Sequence, residues 1–282
     1  MIEVSNVTKK YRSTTAIDSI SLKLPSHGIY CLLGRNGAGK TTLMKLLAGH
    51  IAATAGTITI DGKTVSTSNM PAGVNFIASG AVQFDMKVAD LINAAANLHA
   101  RFDWDFANKM AMRFELDTKK RFEKLSFGMK TMLTVIITLA KKSNIVLLDE
   151  PTLGFDAIMR DQFNTLLLES YQAHPRLFII STHLIDEIAK VTERLIIIDK
   201  GRLLMEAGID EIDEKAYTLS GHTEAVLPLL ENLNCIGKTT AGSITVAHMY
   251  DSRITPPHGV EIGRLSLQDF FINMVTGGKG NV

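Results

Sequence analysis

The sequence predicts an α/β fold. A parallel β-sheet covered by helices is preceded by a β-rich portion, interrupted by a helical portion and followed by a small α+β portion. Three observations carry this. The first 65 residues are rich in strand patterns, residues 145–199 alternate apolar strands with helical runs, and a glycine-rich loop joins an apolar strand to a helix.

In chain order, S-I-S-L-K-L (19–24) and T-I-T-I-D-G-K (57–63) alternate with period two, the second ending in a D-G turn. I-Y-C-L-L (29–33) is apolar throughout, as a strand buried on both faces must be. After Gly39 the spacing turns helical through Leu43, Leu46 and Leu47 and stops at Gly49. Helical runs follow at 87–100, 104–114 and 129–142. Strands at 145–149, 177–182 and 195–199 then alternate with helices expected at 157–172 and 184–193, which implies a parallel sheet covered by helices. D-K-G (199–201) turns the chain into a further strand at 202–207. Beyond it the composition becomes acidic and the rhythm stops; two or three short strands and helices at about 223–233 and 266–276 are expected. The division is therefore residues 1–208, with a helical part at about 86–142, and a small accessory piece at 209–282, too short for a large core of its own.

Composition excludes several classes. With 46% hydrophobic and 21% charged residues the chain is globular rather than disordered. A net charge of +1 gives no reason to expect nucleic acid as a partner. The lysine pairs at 119–120 and 141–142 read as solvated helix ends. Two distant cysteines suggest neither a disulfide framework nor a metal knuckle. The start lacks a signal-peptide core and the longest apolar runs are too short to span a bilayer. The expected location is the cytoplasm, with any membrane role carried by a partner.

The chemistry begins at G-R-N-G-A-G-K-T (34–41), a match to G-x-x-x-x-G-K-[ST]. Glycines let consecutive N–H groups around Asn36, Gly37, Ala38 and Gly39 turn inward on phosphate oxygens. Lys40 neutralises the β/γ charge, the Thr41 hydroxyl is placed for Mg²⁺, and the helix that continues through Thr42 adds its positive end. This loop is expected to bind ATP. The second element is I-V-L-L-D-E: an apolar strand delivers Asp149 opposite Thr41, where it can hold Mg²⁺ through water, and Glu150 can polarise the attacking water.

With both elements in place, residues 1–207 resemble the ATP-binding subunit of ATP-binding cassette (ABC) transporters, motif by motif and in the family's order. The resemblance implies a P-loop NTPase of the ABC cassette type, with a mixed β-sheet core, an antiparallel β subdomain and a helical subdomain. L-S-F-G-M-K (125–130), with Ser126 lying 86 residues after Lys40, looks like the family signature. Its Ser126 and Gly128 would cap the γ-phosphate held by the opposite subunit. By the same resemblance Tyr11 would stack on adenine beside Ala16, and His183 of S-T-H would be the switch histidine touching the γ-phosphate. L-G-F-D (153–156) would be the dimer-crossing loop with Asp156 as its acid. The last helical run resembles the closing helix of bacterial subunits of the drug and antimicrobial-peptide export type.

The sequence departs from the family at two places. Phe127 and Met129 stand where the signature has its first glycine and its glutamine. The glutamine loop should lie near Ala78 and Ser79, where no glutamine occurs; Gln83 is the nearest.

The resemblance implies a working pair, with a second copy or a paralogous ATPase subunit supplying Ser126 to the partner's loop. It also implies a multi-span transmembrane permease at which hydrolysis is spent, so the subunit would sit peripherally on the inner face of the cell membrane. Two other readings stand beside this one: a soluble ATPase of the same type acting on ribosomes or DNA, and a slow nucleotide-dependent regulatory switch. The 86-residue interval and near-neutral charge weigh against the former. A dinucleotide-binding dehydrogenase is excluded because the loop is not G-x-G-x-x-G.

Overall fold

β1 (Ile2–Tyr11) and β2 (Thr14–Leu24) form an antiparallel hairpin, extended on the β1 side by β4 (Ala55–Ile60) and β5 (Lys63–Thr64). The computed structural model describes residues 1–78 and 84–277. The D-G turn forms as expected, Asp61 and Gly62 both adopting positive φ (49° and 77°) between β4 and β5, so that strand ends at Ile60 rather than Lys63.

The central sheet has six strands in the order β10 (Arg202–Gly208), β9 (Arg194–Asp199), β3 (Gly28–Leu33), β8 (Leu177–Ser181), β7 (Ile145–Asp149) and β6 (Val74–Ile77). All neighbours are parallel except β10 on β9. Period-two alternation sorts each buried strand onto two cores. Tyr30, Leu32, Leu147 and Ile179 pack against the antiparallel sheet and α1 (Lys40–Leu47). Cys31, Leu33, Leu148 and Ile180 face the larger core. That core is closed by α2 (Val88–Leu98), α3 (Trp104–Arg113), α4 (Phe127–Ala140) and α5 (Ala157–Ala173).

The third sheet, β12 (Cys235–Ala241), β13 (Ile244–Tyr250), β11 (Ala216–His222) and β14 (Val260–Arg264), is wholly antiparallel and has its own cluster around Tyr217, Leu219 and Met249. Its helix α9 (Leu267–Thr276) instead places Phe270 in the large core, against α6 (Ile185–Ile188).

Several expectations are corrected. The helix foreseen at 184–193 is the single turn α6. The Thr192 hydroxyl donates to the Ile188 carbonyl (2.8 Å), and Glu193 N–H is drawn to Ile29 O (2.8 Å), which starts β9. In place of a helix at 223–233, α8 (Thr223–Val226) passes into a 3₁₀ turn (Leu227–Glu231) with Pro228 in its first turn, where the missing N–H prevents continuation. The acidic stretch is helical, α7 (Ile209–Lys215), and the final sheet has four strands rather than two or three. Lys141 is half-buried rather than a solvated helix end, and burial pushes its ammonium pKa down.

Candidate functional site

The C-terminal ends of β3, β7 and β8 meet at one edge of the central sheet, the position at which parallel α/β sheets bind ligands. β3 ends at Leu33 and the chain passes through residues 34–39 before α1 begins at Lys40. Gly39 is the N-cap at φ 108°, and a Cβ there would lie 2.5 Å from the Ala16 carbonyl oxygen. Only glycine meets both conditions. Ala16 thus forms the back of the loop, and the turn after β9 locks it: Gly201 N–H donates to Ala38 O (3.0 Å), and Asp18 N–H to Gly201 O (2.8 Å). Asn36 and Gly37 are exposed at the tip while Ala38 is buried; Thr42 is half-buried in the first turn of α1. The Lys40 ammonium folds across the mouth, donating to Gly34 O (2.7 Å) and Arg35 O (3.3 Å).

Asp149 is 2% exposed and held from two sides. Thr41 Oγ1 donates to its Oδ2 at 2.6 Å, and Ser181 Oγ donates to its Oδ1. The Ser181 contact follows from sheet register, because Asp149 pairs with Ser181 across β7 and β8, while Thr41 comes from the first turn of α1. Ser181 escaped the reading of S-T-H, which took only the histidine; the signal was two neighbouring strands each ending on a polar residue.

Glu150 turns sharply out of β7. Its φ is 51°, a left-handed conformation uncommon for a non-glycine residue, and its N–H donates to Ser181 O at 3.0 Å. The turn aims the carboxylate at His183: Oε2 lies 2.8 Å from Nδ1, with the glutamate side chain mostly buried and the histidine exposed. The charges reach the interior beneath the loop. The Cys31 thiol pKa is pushed far up, mainly by burial, further by the Glu150 carboxylate, with Lys40 acting the other way.

Thr41 and Asp149 are two hard oxygen donors in contact, a pair suited to a magnesium ion. Of the positions considered for a glutamine, Ala78 directly follows β6 and carries none, while Ser79 and Gln83 lie outside the described residues.

The signature residues form a second unit. Ser126 is the exposed N-cap of α4 and accepts from Met129 N–H (3.2 Å), while Asp156 caps α5 by accepting from Met159 N–H (2.8 Å). The two helix starts are clamped through Gly154. A Cβ on Gly128 would lie 2.9 Å from Gly154 O, and one on Gly154 (φ 81°) would sit 2.3 Å from Phe127 Cδ1. Phe127 therefore fills the space that a side chain at 154 would take. Tyr11 ends β1, 45% exposed, with the Lys9 ammonium 5.1 Å from its ring centroid. Its rung with Thr14 is two residues from Ala16, whose carbonyl backs the phosphate loop at Gly39.

Comparison with known proteins agrees with this arrangement. A family described as ABC transporter matches residues 17–153. The ABC transporter ATP-binding protein YtrB of Bacillus subtilis is 29% identical over 76% of this chain and 74% of its own length. The lantibiotic transport ATP-binding protein SrtF of Streptococcus pyogenes is 26% identical, covering 74% of this chain and 92% of its own. The bacitracin transport ATP-binding protein BcrA of Bacillus licheniformis is 26% identical over 99% of this chain and 98% of its own, the accessory region included. Among solved structures, an ATP-binding subunit of an ABC transporter superposes with TM-score 0.66 at 19% identity, covering 75% of this chain and 91% of that one. A dimeric post-hydrolysis ATP-binding cassette bound to ADP and phosphate gives 0.63 at 18%, covering 74% and 99%.

Proposed function

We infer the working of the site from the premise that this chain carries the ATP-binding domain of the ABC transporter family and is the ATP-hydrolysing subunit of such a transporter. The observation that carries the assignment of roles is the convergence of Lys40, Thr41, Asp149, Glu150 and His183 at one sheet edge, with Asp149 fixed between Thr41 and Ser181.

In this reading the loop N–H groups of residues 36–41 and the Lys40 ammonium bind the β- and γ-phosphates of ATP. Lys40 exchanges its two loop carbonyls for phosphate oxygens. Thr41 and Asp149 would hold Mg²⁺, which when bound would supply neutralisation of the developing phosphate charge. Glu150 orients a water in line with the γ-phosphorus. The water oxygen forms the new P–O bond as the bond to the β-phosphate oxygen breaks, releasing ADP and phosphate, and its proton passes towards Glu150. His183, hydrogen-bonded to that carboxylate, keeps it aimed and reaches the γ-phosphate. Tyr11 stacks on the base.

Cassettes of this family dimerise and act with transmembrane permease subunits. For this chain we propose a head-to-tail pair, a second copy or a paralogue, in which Ser126 and Gly128 close on the partner's ATP. Supporting this, Ser126 is exposed and, among the described residues, its hydroxyl is engaged only with its own helix start. Among the described residues no helix is long and apolar enough to cross a membrane, so attachment to the membrane would come through the permease. The lantibiotic and bacitracin transport relatives, the latter matched over its full length, support outward transport of peptide-like cargo.

The test is Glu150→Gln. Retained Mg·ATP binding, a nucleotide-dependent dimer on sizing chromatography and turnover reduced about 10²–10⁴-fold are expected. Normal hydrolysis by this variant would remove Glu150 from its role.

A further inference from the structure

Behind the Asp149–Glu150 edge a cavity of about 430 Å³ runs between α4, α1 and the edge strand β6. Phe127 and Lys141, at the two ends of α4, both line it, as do Asp149, Glu150, Lys45 and His50. From Phe127 to Lys141 is fourteen helical residues, about 21 Å at 1.5 Å per residue. Three ammonium groups border this cleft, Lys45, Lys130 and Lys141, and among the described residues none has a carboxylate within ion-pair distance. Residues 79–83, S-G-A-V-Q, contain no acid. The Lys130 ammonium lies over the Phe122 ring, 5.7 Å from its centroid. Lys141 is desolvated without compensation. Thr131 and Thr134 spend their hydroxyl protons on their own helix, at Phe127 O and Lys130 O (3.0 and 2.9 Å), so neither hydroxyl competes with the ammonium groups as a donor.

Ammonium groups on the wall of a cleft attract the opposite ion. Here three ammonium groups share the cleft with Asp149 and Glu150, beside which the proposed hydrolysis frees a phosphate dianion. The carboxylates repel that product and the lysines attract it. We propose that this cleft is a binding and exit site for inorganic phosphate, held by Lys45 and Lys141, separate from the site that grips the nucleotide. Its role as an exit rests on the ATP-hydrolysing reading; its capacity to bind phosphate does not.

The test uses the full chain, nucleotide-free, carrying Lys40→Ala so that the phosphate loop no longer holds the anion. Equilibrium binding of radiolabelled inorganic phosphate should persist in this variant. Adding Lys45→Gln and Lys141→Gln should weaken it at least about ten-fold, while the arginine pair at the same positions should restore it. Unchanged melting of the glutamine variant guards against misfolding. In the otherwise native chain, phosphate should inhibit ATP hydrolysis non-competitively, and the double glutamine variant should lose that inhibition. No binding to Lys40→Ala, binding indifferent to the two lysines, or purely competitive inhibition would overturn the proposal. If wild-type chain fails to hydrolyse Mg·ATP, the functional reading and the exit role fall together. Hydrolysis with no phosphate bound to Lys40→Ala sinks the exit site alone.

Discussion

Replacing Ser181 by alanine removes one hydroxyl from the end of β8, and the structure allows its cost to be worked out. Asp149 is 2% exposed and Ser181 0%, so water cannot replace the lost donor at Asp149 Oδ1. A hydrogen bond to a charged group contributes about 1.5–3 kcal/mol, and a buried acceptor left unmatched costs a similar amount. For a chain of this size each kcal/mol moves Tm by about 2–4 °C, so a fall of about 3–12 °C is expected. Far-UV circular dichroism melts of the nucleotide-free protein measure it, with the exposed Ser68→Ala as control, for which less than about 0.5 kcal/mol is expected. Ser181→Ala should also weaken Mg·ATP binding, since Thr41 alone would then orient the carboxylate. Melting within about 1 °C of wild type, together with unaltered Mg·ATP affinity, would refute the view that Ser181 holds Asp149 in place.

Three other outcomes are expected. Gly39→Ala places a methyl 2.5 Å from Ala16 O at a backbone φ of 108°, so the loop must deform; affinity for a fluorescent ATP analogue should fall more than about ten-fold with circular dichroism largely retained. Phe127→Ala removes the ring that covers Gly154, and amide exchange at residues 153–156 should accelerate; unchanged protection there would show that Phe127 is not the clamp. Asp103→Ala removes the α3 cap and the Lys142 partner, with a loss of about 1 kcal/mol at neutral pH. The Lys142 hydrogen bond, then the Phe106 N–H, hold the Asp103 pKa below its ordinary value. Its stabilisation is therefore present above the unfolded-state pKa and lost as pH falls through the folded one, so the difference between the two proteins should vanish in acid.

Much of the architecture was legible because it rests on local periodicity. The apolar run at 29–33 had to be a strand buried on both faces, and its alternate residues do divide between two cores. The pattern failed where a single residue overrides periodicity. Pro228 ended a helix that the spacing would have continued, and Thr192 turned its hydroxyl on the backbone and shortened another. Lys141 looked like a solvated end because nothing local shows that α1 and β6 stand over it.

The sequence by itself determined the chemistry available: a glycine loop with Lys40 and Thr41, an acid pair at a strand end, and a serine-capped helix in a fixed order. These are determined locally, since φ freedom, donor type and strand termini belong to short stretches of chain. Only the tertiary structure decided which of them touch. Ser181 reaches Asp149 because β7 and β8 are adjacent and in register, and Glu150 meets His183 because a left-handed turn aims it there. Phe127 packs on Gly154 because α4 and α5 start side by side, a contact between residues 27 positions apart that no spacing rule encodes.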